Sequence, residues 1–136
     1  MKRYEPDQEL DPRQWLALAE EQRRALALQA HEPLPPGHPA VPSVRFHAAA
    51  HVMVETQLAK EEIPEANQAF QRLRAAGLSR HRAIHALADV ALAELTRMVE
   101  ARAPFDRRGY VERLRSLSVV GPGGVPLPGG SNQDLH

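Results

Sequence analysis

Two segments of the chain carry the same chemical pattern. His47-Ala48-Ala49-Ala50-His51-Val52-Met53-Val54-Glu55 and His81-Arg82-Ala83-Ile84-His85-Ala86-Leu87-Ala88-Asp89 both read His, three residues, His, three residues, carboxylate. On an α-helix, residues four apart lie one turn up and roughly 40° round, so the three side chains climb one face. Two imidazoles at that spacing reach a single metal ion, which is why such pairs recur in helical metal sites. The pattern makes His47, His51, His81 and His85 the candidate ligands, with Glu55 as a fifth and Asp89 as the weaker carboxylate. Histidine and carboxylate donors without cysteine suit a divalent transition metal: zinc, iron, manganese or nickel.

Both pairs lie within apolar stripes. Val44, Val54 and Leu58 flank His47 and His51, and Ile84, Ala88, Leu92 and Val99 flank His81 and His85, so these faces should turn to the core. A lone histidine on such a face is usually a packed residue with one hydrogen bond. Four in matched pairs are harder to bury neutral, because both nitrogens of every ring need a partner. A metal satisfies four at once, and a His–carboxylate hydrogen-bond network is the competing arrangement. Of the remaining histidines, His31 and His38 precede the first pair in a Pro-rich linker. Both read first as exposed loop histidines; as a further ligand, His31, with Glu32 beside it, is the better candidate of the two.

The elements that must position these residues are helical. Asp11 caps a first helix with Pro12 at its first position; Trp15, Ala19, Gln22 and Leu26 share its stripe, and it runs to about Ala30. The linker His31–Pro39 cannot be helix. Ser43 caps a second helix to about Lys60, and Pro64 starts a third that stops near Gly77. Ser79 caps a fourth and longest helix to about Arg102, and Asp106 caps a short last one through Tyr110 and Leu114. After Ser118, Gly and Pro without periodicity read as a disordered tail. The expectation is an all-α bundle of four helices plus a short C-terminal helix: residues 1–10 a flexible lead-in, 11–118 the metal-binding domain, 119–136 the tail.

Composition narrows the function classes. With 136 residues the chain supports one domain. Alanine and leucine dominate the apolar residues and aromatics are 4%, which favours helices over sheets. There is no cysteine, so disulfides, thiolate sites and cysteine nucleophiles are excluded. Lys+Arg and Asp+Glu balance at 17 each, which gives no electrostatic reason to expect nucleic acid or a membrane as partner. The arginines at 107, 108, 113 and 115 are offset by Glu100, Asp106 and Glu112 and read as a solvated face. No signal peptide or transmembrane stretch is present, which points to the cytoplasm. Two function classes fit: a metal-dependent enzyme, oxidoreductase or hydrolase, acting on a small molecule, or a protein-interaction module whose metal or His network only braces the bundle.

The runs Phe46-His47-Ala48-Ala49-Ala50-His51-Val52-Met53-Val54-Glu55-Thr56-Gln57-Leu58-Ala59 and Gly77-Leu78-Ser79-Arg80-His81-Arg82-Ala83-Ile84-His85-Ala86-Leu87 resemble a family of short bacterial proteins known as a domain of unknown function. Its relatives share His-x-x-x-His-x-x-x-Glu-x-Gln-Leu-Ala followed by Gly-Leu-x-Arg-His-x-Ala-Ile-His. The likeness covers about residues 43 to 90 and departs at Thr56, where Asn or Gln is expected. It implies a compact helical protein and carries no activity.

Overall fold

The structure, a computed structural model, describes residues 1–31 and 43–118. The expected tail and His38 lie outside these residues. Among them the fold is all-helical: α1 (Pro12–Ala17), α2 (Glu20–His31), α3 (Val44–Lys60), α4 (Pro64–Ala75), α5 (Arg80–Ala101) and α6 (Arg107–Ser116).

The caps read from sequence do their work. The side chains of Asp11, Ser43, Ser79 and Asp106 accept backbone N–H bonds from Arg13, Phe46, Arg82 and Gly109, respectively. Each satisfies a donor that has no partner inside its helix. The turn from α4 to α5 is a Schellman motif: Leu78 N–H bonds Leu73 O at 3.2 Å and Gly77 N–H bonds Arg74 O at 3.0 Å. Gly77 sits at φ +104, a backbone conformation that side chains resist. Leu78 packs back on Leu73, and the chain leaves aimed so that Ser79 can start α5.

The single first helix expected from Pro12 to Ala30 is two. Leu18 is extended at φ −77, ψ 147, and the side chain of Gln22 reaches back to accept the Ala19 N–H at 2.8 Å, half of a capping box. Arg23 closes the other side of the break, its guanidinium donating to the carbonyls of Trp15 and Leu16 at 3.0 and 3.1 Å. The break lets α1 and α2 both lie on α3.

α3 is the central element and touches α1, α2, α4 and α5, with its closest packing on α5. Glu55 meets Arg80, whereas His47 meets His85, so α3 and α5 run antiparallel. On one side of α3, Tyr4, Trp15, Ala27, Ala48 and Val52 form a small core. On the other, Ala50 and Val54 join Ile63, Ala66, Ala69, Ile84, Leu87, Ala88, Ala91, Tyr110, Val111 and Leu114. Residues 1–10, expected to be loose, are packed where they meet the bundle: Tyr4 is 1% exposed, Pro6 O accepts from Arg80 Nη1 at 2.9 Å, and Asp7 Oδ1 accepts the His81 N–H at 2.9 Å. The aromatic ring of Tyr4 supplies the burial, resting 5.5 Å from the Trp15 ring.

Far from the histidines, one buried carboxylate fastens α6. Glu94 accepts from Arg97 at 2.8 and 3.0 Å, from Arg113 at 2.9 Å and from the Asp106 N–H at 2.8 Å. The bonds from Arg97, helped by those from Asp106 and Arg113, outweigh burial and hold its pKa near 2, below an ordinary 4.5. A depressed folded-state pKa means that the unfolded chain binds the proton first. This contribution to stability is full above about pH 4.5 and is lost as pH falls towards about 2. We expect Glu94→Ala to lower the melting temperature by several degrees and to flatten the acid limb of a stability profile between those values. A variant that melts like the parent at pH 7 would show that α6 is held without Glu94, by its apolar contacts and by bonds such as those of Arg72 and Tyr110.

Candidate metal centre

Three helices deliver histidines to one point. α3 contributes His47 and His51, one turn apart. α5 contributes His81 and His85 from its first two turns. α2 ends on His31, which comes down on top of both. Ring centroids lie 4.4 Å apart for His31 and His51, 4.7 Å for His31 and His47, 4.8 Å for His47 and His51, 4.9 Å for His47 and His85, and 5.0 Å for His51 and His85. One ring nitrogen from each of His31, His47, His51 and His85 lies within 4.8 Å of the others. Nitrogens around a tetrahedral ion sit about 3.3 Å apart, given bonds of about 2.0–2.1 Å, so small ring movements close the set on one ion. This buried His group could hold a metal ion.

The residues expected from sequence are therefore distributed as follows. His47, His51 and His85 belong to the tightest group. His81 stands at its edge, 4.3 Å from His85 and 5.7 Å from His51 between ring centroids. His31, read first as an exposed loop histidine and only second as a further ligand, is fully buried and belongs to the group. Its position at the end of α2 was hidden by the Pro-rich sequence that follows it, which reads as linker. Asp89 is exposed and does not belong to the group. Glu55 is buried beside the cluster, but its oxygens are bonded elsewhere. Arg80 donates to both, Nη2 to Oε1 at 2.8 Å and Nη1 to Oε2 at 2.9 Å, in a pair whose side chains are 6% and 0% exposed.

Tyr4 joins that ion pair to the histidines. Its hydroxyl donates to Glu55 Oε2 at 2.5 Å and lies 3.0 Å from His51 Nδ1. Burial, followed by the charge of Glu55, pushes the phenol well above its ordinary pKa, so the hydroxyl keeps its proton. It has one proton and gives it to the carboxylate; Nδ1 of His51 must therefore be the donor to the phenol oxygen. That fixes the tautomer and leaves the lone pair on Nε2, which is buried with no hydrogen-bond partner among the described residues. His31 is set the same way: Nδ1 lies 2.9 Å from Ala27 O, a pure acceptor, and so carries the proton. Outer hydrogen bonds of this kind orient metal-binding imidazoles and raise their basicity. Burial, and then the imidazoles of His31, His85, His47 and His81, hold His51 well below the usual histidine pKa, so it is neutral at pH 7, the form that can bind a metal.

Arg80 and Tyr4 were not singled out by sequence. Arg80 could have been found, since a charged residue next to His81 on an otherwise apolar face asks for a carboxylate, and Glu55 asks for a cation. Burial works against its guanidinium, but the bonds to Glu55 prevail and raise its pKa. The Arg80 guanidinium also lies over the Phe70 ring, 5.7 Å from its centroid. Tyr4 gave no signal in a polar N-terminal stretch.

No family model, curated protein or solved structure matches the chain.

The tautomers can be read directly. Long-range 15N–1H correlation spectra of the metal-free protein at pH 7.5 should show His31 and His51 as Nδ1–H forms, against the Nε2–H form usual in solution. Tyr4→Phe should release His51 and leave His31 unchanged. It should also cost about 1–3 kcal/mol of stability, since Glu55 loses a buried donor. An Nε2–H form of His51 in the parent protein would contradict the relay.

Proposed function

We propose that the protein binds a divalent first-row transition metal through His31, His47, His51 and His85, with His81 in reserve beside them. The observation that carries this is the convergence of four imidazoles from three helices to within 4.8 Å. The tautomers imposed on His31 and His51 support it, since both leave Nε2 as the metal-facing donor. Neutral nitrogen donors without a carboxylate favour zinc, nickel or iron over manganese. On this reading Glu55 is not a ligand: it orients His51 through Tyr4 and anchors Arg80. Four imidazoles on one tetrahedral ion leave no open position, which favours the bracing class, a metal that holds the bundle of an interaction module together. A working centre, redox or hydrolytic, would need one of the four to give way to water or a small molecule, and the partly exposed His85 is the one placed to do so.

Metal content and chelator response test the reading. Protein purified without a tag should carry about one equivalent of metal. Binding to the folded state alone adds about 2.7 kcal/mol at a hundredfold excess over Kd, so a chelator should lower the melting temperature by several degrees at pH 7.5. At pH 5 it should do little, because protons have displaced the metal. Without metal, the sign for His51 follows from its lowered pKa. The unfolded chain, titrating near ~6.5, binds the proton first, so apo-protein stability falls as pH drops through about 6.5. His51→Ala or His85→Ala should abolish the chelator effect, and His136→Ala should not. A chelator-insensitive parent protein with no co-purifying metal would leave the histidines as a hydrogen-bond network.

A further inference from the structure

We infer that the histidine cluster holds a second seat for the same divalent metal, made of His31, His51, His81 and His85, and that the ion passes between the two seats without leaving the protein. This rests on the metal reading above and concerns the fifth histidine. Because α3 and α5 run antiparallel, the step from His47 to His51 and the step from His85 back to His81 go the same way. Each is one turn, about 6 Å at 1.5 Å per residue. His47 therefore faces His85 at 4.9 Å between ring centroids and His51 faces His81 at 5.7 Å, while His51 and His85 meet across the diagonal at 5.0 Å. The four rings make two triangles that share the edge from His51 to His85, with His47 and His81 as the outer corners. His31 lies over both, 4.4 Å from His51, 4.7 Å from His47, 6.0 Å from His81 and 6.3 Å from His85. Each outer corner thus completes a tetrahedron on the same three rings, His31, His51 and His85.

The second tetrahedron is no wider at its longest edge than the first. That edge, 6.3 Å from His31 to His85, belongs to both, and the edges that His81 adds are 4.3, 5.7 and 6.0 Å. The set with His47 has the tighter nitrogens, so it is the resting seat. Nε2 of His81 is buried, as it is in His31, His47 and His51. The move asks for no change in the outer hydrogen bonds: His31 Nδ1 on Ala27 O and His51 Nδ1 on the Tyr4 hydroxyl leave the same nitrogen for either seat. The backbone under His81 is held as well, its N–H by Asp7 Oδ1 and the preceding Arg80 by Glu55. The three shared ligands come one each from α2, α3 and α5, so the ion ties all three helices together in both seats. An ion of the zinc type can expand from four ligands to five, which lets His81 bind before His47 lets go. The centre braces the bundle while its metal moves.

The experiment uses the full chain loaded with one equivalent of cobalt(II). Visible bands of a nitrogen-bound ion in the parent protein test the metal reading by themselves. Paramagnetically shifted proton signals that vanish in deuterium oxide then count the bound imidazoles, one ring N–H for each. His47→Ala, or His47→Phe should the smaller residue unfold the bundle, is expected to keep four such signals and to lose cobalt affinity only severalfold. Adding His81→Ala to the same variant should leave three signals. It should also weaken binding by far more than the two single effects multiplied together, because each outer histidine covers for the other. A folded His47 variant that binds cobalt through three imidazoles or not at all, or affinity losses that simply multiply, would overturn the second seat and leave the metal site standing. Absence of cobalt bands in the folded parent would overturn both.

Discussion

Much of this structure hangs on one buried ion pair, Glu55 with Arg80. Its two parallel bonds of 2.8 and 2.9 Å leave little freedom in distance or angle. Buried pairs of this kind add little net stability over a well-packed apolar pair, yet breaking one by removing a partner typically costs about 3–5 kcal/mol. Their value is in specifying an arrangement. Glu55 lies one turn beyond His51 on α3, and Arg80 directly precedes His81 on α5. Bonding the two sets the register in which the antiparallel helices pass, and the histidine pairs meet because of it. The same guanidinium holds Pro6 O, and the same carboxylate holds Tyr4, so the N-terminal segment is fixed by the pair as well.

Small residues make that approach possible. Ala50 on α3 is buried in one cluster with Ala88 and Ala91 on α5, and Ala48 on α3 is buried in another with Ala27 on α2. Where Leu or Phe would hold the helices apart, alanine brings the backbones close enough for imidazoles from three helices to touch. The composition that suggested helices thus also explains how a cluster of five histidines fits in a bundle of so few aromatic residues. The second buried carboxylate, Glu94, does for α6 what Glu55 does for the site: arginines hold a charge inside a domain whose apolar core is divided by α3.

The sequence was legible where the signal is local. Caps at Asp11, Ser43, Ser79 and Asp106 and the stop at Gly77 depend on residues a few positions away, and each capped helix starts where it was expected, although the one from Asp11 ends early at Ala17. The two His-x-x-x-His pairs were legible for the same reason, since a helical turn is enough to align them. What was hidden depends on tertiary context. Leu18 has no breaker chemistry of its own; the break is made by Gln22 and Arg23 folding back on it. The place of His31 depends on how α2 docks, and Tyr4 matters only because the chain end returns to the bundle. Glu55 was drawn towards the metal by its spacing from His51. The spacing does put it at the cluster, but the partner that takes its charge lies 25 residues away.

The break at Leu18 has a consequence for how this protein can change over evolutionary time. Because α2 starts afresh at Glu20 and delivers His31 as its last residue, the imidazole's place is set by counting residues from a fixed start. Inserting or deleting one residue within α2 would turn His31 by about 100° and move it about 1.5 Å along the axis, taking it out of the cluster while leaving helicity and composition almost untouched. Substitutions on the outer face of α2 carry no such penalty. The length of this helix is thus under a constraint separate from its sequence, and drift there should appear as exchanged side chains at constant length.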